Sequence, residues 1–105
     1  MSPIIDLLME VRRRPAIYIG SLSLTKLGYF LHGYCFALER HCSMKPQMFF
    51  SEFRDWVAER YSVTIPQSWE NIILFHSVDE KEALQIFWKL LDEYLAQAKN
   101  STASG

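Results

Sequence analysis

The apolar positions of this chain recur mostly three and four residues apart, the period of a helix with one buried face. Ile4, Leu7, Leu8 and Val11 make such a face, with Asp6, Glu10 and Arg14 four apart on another. Ser2 is placed to cap this first helix, and Pro3 suits its first turn, where a missing N–H costs nothing. Pro15 ends it, because the residue before a proline is driven out of helical geometry. Ala16 to Ile19 then reads as a short extended link and Gly20 as a turn.

A second helix is expected from a cap at Ser21 or Ser23 to about His41. It is apolar nearly all round: Leu24, Leu27, Phe30, Leu31, Tyr34, Cys35 and Leu38, with Tyr29, Phe36 and Ala37 elsewhere. A helix without a polar stripe belongs in the middle of a bundle. Gly28 and Gly33 each cost up to ~1 kcal/mol against alanine in a helix interior, so each is expected to admit a close neighbour. On this reading residues 23–41 are the most buried part of the chain.

Residues 42–47 read as a loop. A third helix turns Phe49 or Phe50, Phe53, Trp56, Val57 and Tyr61 inward and Glu52, Arg54, Asp55, Glu59 and Arg60 outward. Ser62 to Ile65 is an extended connector stopped by Pro66, and Ser68 caps a short helix carrying Trp69, Ile72, Ile73 and Phe75. The last helix opens on Ser77 with Glu80 three residues on, the spacing of a capping box. Leu84, Phe87, Trp88, Leu91, Tyr94 and Leu95 are its apolar stripe. The fold class that follows is all-α, a compact bundle of about five helices around a central apolar helix. Residues 1–99 form a single helical domain and residues 100–105 a flexible polar tail.

Composition fits this picture. The chain has 105 residues, half of them apolar and 14% aromatic, enough for one well-filled core. A net charge of −1 removes the default case for a nucleic-acid binder, which is usually basic. No run reaches the ~18 apolar residues of a membrane span, and the first residues lack the basic region of a signal peptide. A cytoplasmic protein is expected. Cys35 and Cys42 on one helix would lie about 10.5 Å apart, beyond the ~7 Å limit for a disulfide, so both read as reduced thiols.

No arrangement of polar residues reads as a site of catalysis. His32 with Cys35, and His41 with Cys42, have the types but not the reach for a shared zinc ion. The cysteines sit among aromatics rather than beside a base. Asp92 and Glu93 are adjacent on a helix and diverge. No glycine-rich phosphate loop occurs. The chain is therefore expected to be no enzyme, with no catalytic, cofactor or metal residues and no small-molecule substrate. Arg12, Arg13 and Arg14 form one positive spot, explained either by the negative C-terminus of their helix or by an anionic partner. The second option gives the alternative function, a small nucleic-acid-binding or adaptor protein.

The segment Arg13-Arg14-Pro15-Ala16-Ile17-Tyr18-Ile19-Gly20 resembles the Arg-Pro-Gly-Met-Tyr-Ile-Gly stretch of gyrase-type ATPase domains. The helix Asn and the Asp-x-Gly-x-Gly loop that such domains need are missing, so the likeness is one of turning between helices. More of the chain is similar to small bacterial immunity proteins of contact-dependent growth-inhibition and polymorphic toxin systems. These share an Arg-Pro-x-x-Tyr-x-Gly turn, a Ser-Leu…Phe-Leu-x-Gly-Tyr helix, a Phe-x-x-(Phe/Trp)-Val stretch and a late Phe-(Phe/Trp)-x-Leu-Leu-Asp-Glu helix. Here those pieces are Arg14 to Gly20, Ser23 to Tyr34, Phe53 to Val57 and Phe87 to Glu93. The resemblance implies a protein-binding toxin inhibitor whose partner is a cognate toxin, often a basic nuclease. An acidic surface would steer such an encounter. The expected partner-binding residues are Asp79, Glu80, Glu82, Asp92 and Glu93, with Glu52, Asp55 and Glu59 nearby. Charges matched to the helix dipole explain Asp79 to Glu82 equally well.

Overall fold

A computed structural model describes residues 3–41 and 47–104. Among them run six helices and no strand: α1 (Pro3–Arg13), α2 (Pro15–Ile19), α3 (Leu24–His41), α4 (Gln47–Arg60), α5 (Trp69–Phe75) and α6 (Glu80–Ser104). The all-α expectation holds. α6 packs against α3, α4 and α5, while α2 joins α1 to α3.

The core draws on every helix. Leu8 and Val11, Leu24, Leu27 and Leu31, Phe53 and Val57, Ile72 and Ile73, and Phe87 and Leu91 are fully buried, and Ile19 of α2 is nearly so. Phe53 is at the middle of an aromatic cluster with Phe49, Trp56, Trp69, Phe87 and Tyr94, all with ring centroids 5.4–6.2 Å from its own. Edge-to-face and offset contacts at such distances add to what area burial alone supplies. Burial, and behind it Glu52, raises the Tyr94 phenol above its ordinary value.

Four local expectations need correction. Ala16 to Ile19 is helical, not extended. Arg14 takes the non-helical backbone required before proline (φ −136°, ψ 62°), and Pro15 then begins α2. The same ring that ends one helix starts the next, since its fixed φ suits a first position. Gly20 closes α2 at φ 79°, a conformation glycine adopts at little cost.

The start of α6 is also displaced from Ser77. Asp79 accepts the Glu82 N–H at 2.8 Å, and Glu82 reaches back to the Val78 N–H at 2.8 Å. Ser77 instead donates its hydroxyl to the Ile73 carbonyl at 2.6 Å. At the shorter α5 the cap is as expected, with Ser68 accepting the Asn71 N–H at 3.1 Å. The end of α4 turns on Ser62 at φ 57°, where the Val63 N–H returns to the Ala58 carbonyl and the Ser62 N–H to that of Glu59. This six-to-one and five-to-two pairing is a Schellman end, so the connector opens on a left-handed residue rather than an extended one.

The fourth correction concerns α3. It touches α2, α5 and α6, yet it is not covered all round. Leu24, Leu27, Gly28, Leu31 and Cys35 face inward. Tyr29 is 76% exposed and Phe36 60%, and Gly33 and Ala37 are exposed beside them. Phe30 is half-buried, with its ring edge-on to Tyr18 at 6.0 Å.

Candidate protein-binding surface

The five acidic residues expected to meet a partner have occupations inside the molecule. Asp79 and Glu82 cap α6 as described. Glu80 turns away from its own helix and serves α3. One of its oxygens accepts the Thr25 N–H at 2.8 Å and the Ser23 hydroxyl at 3.0 Å, and the other accepts the Thr25 hydroxyl at 2.6 Å. Ser23 in turn accepts the Lys26 N–H at 3.2 Å, so Glu80 completes the capped first turn of α3. These bonds, those from Thr25 foremost, hold the Glu80 carboxyl below the ordinary glutamate range.

Asp92 faces α1, where both oxygens take the Arg12 guanidinium at 2.7 and 2.9 Å. That guanidinium also lies 5.5 Å from the Trp88 ring centroid. The paired hydrogen bonds lower the Asp92 carboxyl and raise Arg12. Glu93 faces α4 and meets Arg60, with nitrogen–oxygen distances of 3.1 and 3.4 Å. The first turn of α6 and the Asp92–Glu93 pair are roughly 18 Å apart along the axis, and neighbouring positions diverge. The five carboxylates therefore form no single patch. Arg12 is bound to Asp92 and Arg13 to Glu10, leaving the positive spot largely neutralised.

The outward face of α3 is different. Lys26, Gly33 and Arg40 repeat every seven residues, with Tyr29, Phe36 and Ala37 beside them on the same stripe, over about 21 Å of helix. No carboxylate stands on this stripe. The Arg40 guanidinium is 5.4 Å from the Phe36 ring centroid, so charge and ring are already stacked. The two glycines of α3 have opposite surroundings. A Cβ on Gly28 would meet the Glu70 side chain at 3.3 Å, which explains its glycine, whereas a Cβ on Gly33 would meet nothing within 4 Å. Among the described residues nothing requires Gly33 to lack a side chain. This stripe escaped the sequence reading, although the seven-residue repeat of Lys26, Gly33 and Arg40 was a signal that one side meets water.

Phe36 also borders a groove of about 490 Å³ between α3, α4 and the start of α5. Leu31, Cys35, Phe50 and Trp69 line it with apolar surface, and His32, Glu39, Arg54, Asp55 and Glu70 supply charge. Burial, then Glu39, pushes the Cys35 thiol upward, which favours its neutral form. A smaller apolar corner lies between α5 and α6, where Phe75 and Val78 are 83% and 86% exposed. There His76 stacks on Tyr61 with centroids 4.3 Å apart. Among the described residues no group of three His, Cys, Asp or Glu is placed to hold a metal ion, and Cys42 lies outside those residues. No described helix is long and apolar enough to cross a membrane. In comparisons with known proteins, no family model matches this chain, and no curated protein or solved structure matches it significantly.

Proposed function

We propose that this chain is a protein-binding inhibitor, an immunity protein that acts in the bacterial cytoplasm by covering a surface its cognate toxin needs. The observation that carries this reading is the open aromatic face of α3, with Tyr29 and Phe36 left in water on a helix otherwise built for a core. Tyr, Phe and Arg are enriched where proteins meet, and a few such residues supply most of the binding energy. A standard inhibitory interface buries ~800 Å² on each partner. Against a total surface of 6822 Å² this leaves the core untouched. The resemblance of Arg14 to Gly20, Ser23 to Tyr34, Phe53 to Val57 and Phe87 to Glu93 to immunity proteins points the same way. Binding alone is the activity, without a catalytic step or a cofactor.

The reading is tested by co-expression with the toxin fragment encoded next to it. The wild-type chain should rescue growth. Tyr29→Ala with Phe36→Ala should weaken toxin binding roughly 30-fold, as expected for two interface anchors, and abolish rescue while the helical signal persists. Reversing Glu82, Asp92 and Glu93 should act instead through loss of stability. Full rescue by the Tyr29/Phe36 double variant would sink the assigned face, and a neighbour without toxicity would sink the immunity reading.

A further inference from the structure

We infer that the outer face of α3 is a seam for a single helix of the protein partner, an amphipathic helix with carboxylates at both ends of the contact. The inference rests on the protein-binding reading above and names the partner segment that this face takes.

The spacing calls for a helix. Lys26, Tyr29, Gly33, Phe36 and Arg40 follow one another at intervals of three, four, three and four residues, and all are exposed. These are the intervals between the two seam positions of a coiled coil, which keep one edge of a helix turned to a neighbouring helix along its length. Lys26, Gly33 and Arg40 fall on one seam position, Tyr29 and Phe36 on the other. The inner stripe of α3, with Leu24, Leu27, Leu31 and Cys35, is buried, and α5 and α6 are among its neighbours. The outer stripe is built to the same helical rule and stays open among the described residues. Because a Cβ on Gly33 would meet nothing within 4 Å, a hole lies between the Tyr29 and Phe36 rings. A large apolar side chain of the partner helix fills it, knob into hole.

The charges give the sign of the occupant. The seam has a cation at each end, Lys26 and Arg40, about 21 Å apart, and no carboxylate. Arg40 stacks on Phe36 at 5.4 Å, which leaves its charge in place. Among the described residues neither cation is held in an ion pair. Glu39 lies off the seam on the groove side of α3 and has an interaction of its own. A second copy of this chain fits poorly. Paired in parallel, Lys26 would face Lys26 and Arg40 would face Arg40, and in either direction two copies would enclose four cations with no carboxylate. Like charges brought together in this way suppress a wrong partner. A helix with carboxylates at both ends meets each cation with the opposite sign, and its apolar edge covers Tyr29, Gly33 and Phe36. The sign is the reverse of the acidic encounter surface that the sequence suggested.

Synthetic helices on the isotope-labelled full chain decide the matter without any toxin. A peptide of three Glu-Ile-Ala-Ala-Leu-Glu-Ala heptads should shift the amides of Lys26, Tyr29, Gly33, Phe36 and Arg40. Its counterpart with Lys for every Glu should bind roughly tenfold more weakly or worse, since like charges then face each other. A peptide of the same composition with the heptad order broken should leave those amides unmoved. Lys26→Gln with Arg40→Gln should weaken the acidic peptide about tenfold while the spectrum stays folded. Lys89→Gln, which removes an exposed cation of α6, should leave binding unchanged. Equal binding of the basic or the broken-heptad peptide, an equal loss in Lys89→Gln, shifts confined to another face, or no shift at millimolar peptide would each overturn the seam. So would a dimer of this chain that Phe36→Ala dissolves and the acidic peptide does not, or a single-stranded oligonucleotide that takes the same amides more tightly. The two readings fail separately. A neighbouring gene product without toxicity sinks the immunity reading and leaves acidic-peptide binding in place, whereas rescue lost in the Tyr29/Phe36 double variant, with no peptide binding, sinks the seam alone.

Discussion

The two sides of α3 answer different demands with similar residues. On the inner side Leu24, Leu27 and Leu31 vanish into the core, and Gly28 is small because the Glu70 side chain lies where its Cβ would be. On the outer side Tyr29 and Phe36 stand in water, and Gly33 is small with nothing above it. The inner side is explained by the fold alone. The outer side is not, since exposed aromatics and an uncompensated helix glycine both work against stability and solubility. A surface that costs stability, with no partner for it among the described residues, is the one the proposed binding would use.

That contrast can be broken most forcefully at Leu31. Leu31→Ala should cost about 2–5 kcal/mol by leaving a cavity, and Phe36→Ala almost nothing, as read by urea denaturation of both variants. A comparable loss at Phe36 would mean the outer face is structural after all.

Glu80→Ala comes next. It strips acceptors from the Thr25 N–H and the Ser23 and Thr25 hydroxyls, and at this part-buried site the loss should cost about 1 kcal/mol. The same group sets a pH dependence. Its carboxyl titrates below the usual range when folded, so its stabilisation is complete above the unfolded value of about 4.3. It is lost as pH falls through the lower folded value. Asp92, lowered by Arg12, adds to the loss in acid. Through that window the fall of melting temperature with pH should be shallower in Glu80→Gln, and an unchanged acid profile would refute the assignment.

A finer comparison sets the two glycines against each other. Gly33→Ala meets open space and should stabilise by about 0.5–1 kcal/mol, some 4–8 °C per kcal/mol in a domain of this size. Gly28→Ala must displace Glu70 and should gain less or lose. If the Gly33→Ala protein also binds its partner less well, the partner approaches that backbone closely. The smallest expected effect is on stability in Tyr29→Ala, within about 0.5 kcal/mol.

Much of this architecture was legible in the chain. Period and prolines placed the long helices and Ser68 the short α5, because helix starts and stops are local chemistry. α2 was missed because Ile17-Tyr18-Ile19 carries β-branched and aromatic residues that favour strands, while the helical start at Pro15 is a positional effect. The start of α6 was misplaced because Ser77–Glu80 and Asp79–Glu82 have the same spacing. What separates them is the unfilled first turn of α3, to which Glu80 is drawn. Partners 57 and 80 residues apart, Ser23 with Glu80 and Arg12 with Asp92, leave no trace in local spacing. The acidic residues therefore looked free. The open side of α3 was hidden for a related reason: hydrophobicity records that a face is apolar, and only the number of neighbouring helices determines whether it is covered.

Glu80 is the first residue of α6 and completes the first turn of α3, 55 positions along the chain from Thr25. The first turn of α3 is thus not a local property of its own sequence. Closing so long a loop adds little further entropy cost per residue, but distant contacts form late in folding. The starts of α3 and α6 should accordingly open together, and the Thr25 amide should exchange its hydrogen only when both do. A nick in the connector between α4 and α5 that let α6 drift away would leave α3 intact in sequence and still without the acceptor that begins it.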